Sequence, residues 1–477
     1  MQRRNNRKMI LQMNKLPDWF FVIISAFLML ILTLTTELTL TESFVVAYFV
    51  FTFLRFVNNF GNTICIFDFL TFYSALDTLL AALISYKFFD KDDHLAFIWG
   101  KFMRVSEDTY FEYMIPANIA LFVGVHLFFR QNNSRSALIY LERAKHFVSD
   151  KLRVGIVFVV IGFTAGLFLN SVPGSITYFF YLLSMLSYVG GLYIYFSLKK
   201  NRTLIISVIV VAFFVEAAQT GMFGEFFMFI ILAACLIISQ YKFSFLSKLT
   251  IFVLGMLFVL MIQNVKLEYR SLTWANGKEN SLEYRDKGNL EIFSDLFVDR
   301  LFNTDAIITR KSLFFMNTRF NQGWLISLAM NYVPRVEPYA NGETIWLSLA
   351  AVAVPRFLWR DKPEAGGYMN LSRFVGLKKK LSYSMNIGPY GEGYGNFGSL
   401  GGVIFMFVFG FSLAYFLHKT LDISKTHPSV IIWIPLLFYY VLTVETDILT
   451  TINSFVKSAI FMYIIYWFAQ KAYRLKI

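Results

Sequence analysis

Between Pro355 and Gly398 the chain reads PRFLWRDKPEAGGYMNLSRFVGLKKKLSYSMNIGPYGEGYGNFG, a stretch whose residue types could hold phosphate. Arg356, Arg360, Lys362, Arg373 and the Lys378-Lys379-Lys380 run lie in it, with Arg335 just upstream. A guanidinium stays ionised and presents a planar fork that meets two phosphate oxygens at once, so these cations beside a bilayer suit an anionic lipid headgroup. One carboxylate, Glu392, stands among Gly391, Gly393 and Gly395, where backbone without Cβ can bring N–H groups close to a ligand. Glu392 is the candidate general base. The plainer account of the same residues is a glycine turn into the next helix, capped by Glu392. Glu343, in NGET, is the second candidate base, and a carboxylate opening a helix is its plainer account. Upstream, Arg300, Arg310 and Arg319 add further cations.

The elements that must position these groups are apolar. Of 477 residues, 57% are hydrophobic and 16% charged, whereas soluble domains carry roughly a quarter charged residues. The chain therefore reads as an all-α polytopic membrane protein without a separable soluble domain. The basic start, MQRRNNRKMILQMNK, runs into WFFVIISAFLMLILTLTT, which has the length of a span and no small-residue cleavage site after it. The net charge of +13 fits basic cytoplasmic loops and anionic lipid rather than nucleic acid.

With about 20 apolar residues per span, nine spans precede a long polar region, near 18–37, 43–60, 64–86, 114–130, 154–172, 175–197, 203–220, 222–240 and 249–264. Three follow it, near 399–418, 429–449 and 454–470. The division is a nine-span bundle over 1–264, an external loop over 265–397 carrying the candidate site, and a three-span bundle over 398–477. Thr344–Leu358 is too short to cross, and Pro355 lies near its end, so it is expected as an interfacial or re-entrant helix. Twelve spans then place both termini in the cytoplasm. Short inner segments hold 21 Lys and Arg against 4 in the short outer loops, as orientation demands. Within 265–397, with 17 Lys/Arg and 13 Asp/Glu, Asp299–Arg310, Ser312–Phe320 and Trp324–Tyr332 are expected as amphipathic helices on the outer face.

Ionisable groups inside spans are functional candidates. Asp77 lies deep in the third span, and Arg55 and Asp68 are placed to pair near the cytoplasmic side. Glu37, Glu42, Glu216, Glu225, Glu445 and Asp447 fall at outer span ends as a negative rim. Asp92-Asp93, in KDDH, could hold a divalent ion, but a solvated face explains it better. The five histidines have no metal-ligand spacing, and Cys65 and Cys235 are too far apart in sequence to suggest a disulfide or thiolate site.

The residues Pro355, Arg356, Leu358, Trp359, Asp361, Lys362 and Pro363, followed by Gly391, Glu392, Tyr394, Asn396, Phe397 and Gly398, resemble the paired motifs of Wzy-type oligosaccharide repeat-unit polymerases. The match covers about a tenth of the chain, and the late outer loop between spans is similar as well. The architecture expected from the resemblance is that of the C-type glycosyltransferase superfamily. The activity it implies is joining of undecaprenyl-pyrophosphate-linked oligosaccharide units at the outer face of the bacterial inner membrane. No cofactor or metal is implied. Partners would be the lipid-linked donor and acceptor, membrane lipid, and a chain-length regulator and flippase.

Such transfer needs the departing pyrophosphate held and a proton removed from the acceptor hydroxyl. The reading assigns Arg319 and Arg356 to the first task with Glu392 as base. Arg300, Arg310, Arg335, Arg360 and Lys362 are further phosphate contacts, while Tyr394 and Asn396 would hold sugar hydroxyls. Trp346 and Trp359 read as interfacial anchors. An O-antigen ligase shares the donor chemistry and is the rival within enzymes. A lipid-glycan flippase would show paired repeats and charged cavities through the bilayer, and the sequence has no repeat.

Overall fold

The computed structural model describes residues 16–128, 131–169, 171–197, 202–238, 241, 243–274, 283–303, 309–354, 358–377 and 385–477. Among these residues the regular elements are helices and no sheet forms. The first are α1 (Asp18–Thr35), α2 (Leu40–Asn59), α3 (Ile66–Phe88), α4 (His94–Trp99), α5 (Glu107–Phe128) and α6 (Gln131–Val148). Next come α7 (Leu152–Leu167), α8 (Gly174–Ser197), α9 (Arg202–Thr220), α10 (Phe223–Ile237) and α11 (Phe245–Thr273). The polar region holds α12 (Asn289–Phe302), α13 (Arg310–Phe320), α14 (Gly323–Tyr332), α15 (Glu343–Ala353) and α16 (Tyr368–Val375). Last are α17 (Gly388–Ile423), a 3₁₀ turn (Pro428–Trp433) leading into α18 (Ile434–Leu442), and α19 (Ile448–Tyr473).

Seven of these, α1, α2, α3, α8, α11, α17 and α19, contain stretches long and apolar enough to cross a membrane. The protein is a helical membrane protein. A helix satisfies its own backbone groups, which is why it can stand in hydrocarbon, and α1 turns Trp19, Phe27 and Leu34 outward at over 60% exposure. Local sequence sets the helix starts. Thr39 and Glu42 form a reciprocal cap on α2, with Thr39 N–H donating to the Glu42 carboxylate at 2.8 Å. Small residues set the helix contacts. On α5 Gly124 lies against the backbone of Phe407 and Gly410 on α17, and a Cβ on Gly410 would sit 2.9 Å from the Leu121 carbonyl. On α8 a Cβ at Gly190 would stand 2.7 Å from the Gly155 carbonyl of α7.

Among the described residues, helices of the polar region pack into the apolar clusters of the bundle. The main apolar core takes in Leu325, Ile326 and Met330 of α14 and Leu371 and Phe374 of α16, alongside Leu70 of α3 and Trp433. The expectation that α14 lies on the outer face is therefore corrected: its apolar stripe is buried between helices. Packing on α9, α10 and α11, α12 places Ile292, Phe293 and Leu296 against Phe213, Phe223 and Ile262. The segment expected over Thr344–Leu358 is α15, which ends at Ala353. Its 11 residues reach ~16 Å at ~1.5 Å per residue, about half of a hydrocarbon core.

Two further differences bear on the site. Helix α11 continues to Thr273, so Lys266 and Arg270 are helical rather than part of a loop. Helix α17 starts at Gly388, and it kinks at Gly398 (φ 68°, ψ −167°), leaving a short half-helix before the kink. Helix α3 carries a π turn over Leu76–Leu80, a feature frequent at functional sites.

Candidate functional site

A corner between α13 and α14 is pinned onto α3. Asn317 and Asn321 each donate to the Ser85 hydroxyl at 2.7 Å, and the Gln322 N–H donates to the Asp77 carbonyl at 3.0 Å. This corner sets Arg319, the last basic residue of α13, against Glu445 in the turn between α18 and α19. Arg319 Nη1 donates to both Glu445 oxygens at 2.9 Å, and the Tyr73 hydroxyl of α3 donates to Oε1, also at 2.9 Å. The pair is deep in the molecule yet keeps 40% (Arg319) and 30% (Glu445) of its side-chain surface accessible, so it lines a crevice.

The electrostatics follow from that placement. Glu445 beside it holds the Arg319 guanidinium above its already high range, against the opposing effect of burial. Burial pushes the Glu445 carboxyl up, but Arg319 and the hydrogen bonds from Arg319 and Tyr73 outweigh it and hold it below the usual range. Lys266 and Arg270 of α11 and Lys101 from the turn after α4 lie within electrostatic reach of Arg319. Lys101 is held below the usual lysine range by burial and then by Arg319, and its ammonium stands 5.8 Å from the Trp324 ring. Arg270 donates to the Gly221 carbonyl and stacks on Trp274. Lys266 is 9% exposed, and among the described residues no carboxylate pairs with it. Because Glu445 takes only Nη1, the Nε and Nη2 edge of Arg319 has no protein acceptor among the described residues. Asp77, in the π turn, is sealed at 1% exposure with neither carboxylate oxygen hydrogen-bonded. The crevice thus offers an open guanidinium edge to an anion beside an accessible carboxylate, with the buried Lys266 side chain within electrostatic reach of both.

The glycine-rich segment, expected as the end of the external loop, is instead the half-helix before the Gly398 kink. Its glycines admit neighbours: a Cβ on Gly395 would meet the Phe374 ring at 2.8 Å, and one on Gly393 would meet Phe405 at 2.8 Å. Glu392 is fully buried, and its Oε1 accepts the Ile448 N–H at 2.9 Å. It therefore helps cap α19, together with Asp447, which accepts from Thr450 N at 3.3 Å. The capping account of Glu392 describes its position, though on α19 rather than on the helix it opens. Among the described residues its Oε2 has no partner at full hydrogen-bond geometry, and Asn370 of α16 stands beside the carboxyl. A cleft of about 20 Å³, room for a water, lies next to Asp447 and Asn370 and is also lined by Thr344 and Ser348.

Asn396 and Tyr394, expected to hold sugars, are structural in this arrangement. Asn396 is buried, accepts from Gly342 N at 3.1 Å and donates to the Thr344 hydroxyl at 2.7 Å, tying the start of α15 to α17. Tyr394 is 7% exposed between the rings of Tyr113 and Tyr339. Nor do the remaining cations converge. Arg300 is held on α11 and α12 by Glu268 (2.6 Å), Asp299 and Asn264. Arg310 pairs with Asp93 at 2.6 Å. Lys362 donates to the Val354 carbonyl at 2.8 Å, closing α15. Glu343 pairs with Arg373 at 2.9 Å, an exposed bridge that lowers the Glu343 carboxyl below its usual range. Arg335 and Arg360 are exposed. Arg356 and the Lys378-Lys379-Lys380 run lie outside the described residues.

Among the described residues no cluster of three or more His, Cys, Asp and Glu could hold a metal ion. Asp93 of the KDDH pair is the α4 cap, accepting from Ala96 N at 2.9 Å. Arg55 and Asp68 do pair, at 3.0 Å, with Asp18 and His126 around the same guanidinium. Cys65 and Cys235, too far apart in sequence to suggest a disulfide, meet in the fold: the Cys65 thiol donates to Cys235 Sγ at 3.4 Å, and both remain free cysteines.

Fold and site define a polytopic helical membrane protein with a charged crevice enclosed by its helices. The chain belongs to the DUF8712 family, a domain of unknown function, whose family model matches residues 19–476. No curated protein and no solved structure matches it.

Proposed function

We propose that this protein is a polysaccharide repeat-unit polymerase, a glycosyltransferase that joins undecaprenyl-pyrophosphate-linked oligosaccharides at the outer face of the bacterial inner membrane. The reading includes twelve spans with both termini in the cytoplasm, residues 265–397 entered from the periplasmic side, and an architecture like that of the C-type glycosyltransferases. One observation carries it: the Nε/Nη2 edge of Arg319, which has no acceptor among the described residues, lies in an accessible crevice within electrostatic reach of the buried Lys266. That donor set suits a diphosphate. The acceptor hydroxyl attacks the anomeric carbon, the bond from that carbon to the diphosphate oxygen breaks, and the electron pair leaves on the lipid diphosphate. In a water-poor recess one well-placed donor to that developing charge is worth about 3 kcal/mol. Arg270 and Lys101 add field without direct contact. The paired motifs around Arg356 and Glu392 support the family reading, with Glu392 assigned to holding α19.

The test is incubation of the purified protein in lipid with a defined undecaprenyl-pyrophosphate-linked repeat unit, with and without chelator. A ladder of products, each longer by one unit, is expected. Absence of any extension, or transfer of glycan only to a different lipid acceptor, would overturn the polymerase assignment.

A further inference from the structure

We propose that Glu445 is the proton acceptor for the attacking hydroxyl, and that filling of the neighbouring diphosphate site switches it on. This inference rests on the glycosyl-transfer reading above. Two observations single out Glu445. It is the carboxylate that lines the accessible part of the crevice, at 30% side-chain exposure, whereas Asp77 is sealed and Glu392 is enclosed on α19. It also shares a guanidinium with the anion site: Arg319 gives Nη1 to Glu445 and leaves its other edge open.

The coupling is electrostatic. The groups facing Glu445 are Tyr73 and Asp77 from α3, Lys266 from α11, Arg319 from α13 and Tyr439 from α18. In the unfilled crevice, Arg319 and Lys266 keep the Glu445 carboxylate a poor base. A diphosphate on the open edge of Arg319 and on Lys266 cancels most of that positive field, and the proton affinity of Glu445 rises. The base then strengthens only when a donor is in place. In the step itself the hydroxyl oxygen bonds to the anomeric carbon and its proton passes to a Glu445 oxygen. The lipid diphosphate leaves with the electron pair of the broken bond, and water takes the proton from Glu445 after product departs. Tyr73, bonded to Oε1, is a positioning residue; Oε2 accepts from Arg319 Nη1 and keeps its second lone pair for the hydroxyl.

Glu445→Gln keeps a carbonyl for Arg319 and Tyr73 but cannot take the proton. Its turnover on the defined lipid-linked repeat unit is expected to fall by about 10²- to 10⁴-fold, while its affinity for inorganic pyrophosphate, read by calorimetry, is kept or rises, because the carboxylate charge that opposes the anion is gone. Glu445→Asp recovers part of the turnover and the acidic limb of the pH profile. In the wild type that limb is expected at higher pH in kcat than in kcat/KM for the donor, because kcat reports the filled site. Wild-type turnover in Glu445→Gln, an equal loss of turnover and pyrophosphate affinity, or coincident limbs would each overturn the role of Glu445 while leaving glycosyl transfer standing. A wild-type protein that binds pyrophosphate but extends no glycan would remove both.

Discussion

The Glu392 carboxylate accepts the backbone N–H of Ile448 at 2.9 Å, joining the half-helix before the Gly398 kink to the first turn of α19. Helix N-termini leave N–H groups without partners, and here a side chain 56 positions away supplies one.

Removing that acceptor strands a buried donor. Glu392→Ala is expected to destabilise the protein by about 1–3 kcal/mol, and Glu392→Gln, which retains an acceptor, by less. Thermal unfolding in detergent or lipid reads both, and equal melting temperatures for wild type and Glu392→Ala would refute the capping role.

Gly398 adopts φ 68° and ψ −167°, a backbone region essentially closed to residues with a Cβ. The Tyr339 ring would also stand 3.2 Å from any added Cβ. Gly398→Ala is expected to cost about 1–3 kcal/mol and to raise hydrogen exchange over 388–397. Ser399→Ala, at an exposed position just beyond the kink, is the comparison within the same helix.

Lys266 is expected to contribute a charge-assisted contact to a bound diphosphate. Lys266→Met should weaken inorganic pyrophosphate binding by about tenfold to a hundredfold, from a loss of about 1.5–3 kcal/mol. Titration calorimetry at fixed salt measures it. Unchanged affinity would take Lys266 out of the anion site.

The α4–α13 contact is expected to depend on pH through Asp93. Burial pushes its carboxyl up, but the Ala96 N–H and the Arg310 guanidinium outweigh this and hold it below the usual range. A folded value below the unfolded one, near 4, means that the contact stabilises above about pH 4. That contribution disappears as pH falls through the lower folded value. Hydrogen exchange in α4, corrected for intrinsic rate, should therefore rise at acid pH, and Arg310→Ala should move the onset to higher pH.

Much of the architecture was readable because hydropathy is local. Most expected apolar runs fall on a helix, although 429–449 is divided among the 3₁₀ turn, α18 and the turn before α19, and Arg55 and Asp68, placed at matching depths of successive helices, do meet. The site was less readable. Arg319 was visible as a cation, but its partner Glu445 is 126 positions away and met only through the corner pinned to α3. Lys266 and Arg270 were hidden because their charge ends the apolar run before the helix itself ends; a helix continuing past its hydropathy boundary was the available signal. The glycines around Glu392 misled for a physical reason. Absence of a Cβ serves a flexible loop and a crowded helix equally well, and only the rings of Phe374 and Phe405 against them decide which.

The π turn at Leu76–Leu80 amounts to one residue more than a regular helix needs over that length. Each residue turns a helix by about 100°, so deleting one there would rotate the C-terminal half of α3 against its N-terminal half. Tyr73 would stay beside Glu445 while Ser85 swung away from Asn317 and Asn321. The supernumerary residue thus acts as a phase adjuster, letting one rod address the crevice with its lower half and anchor the inserted corner with its upper half.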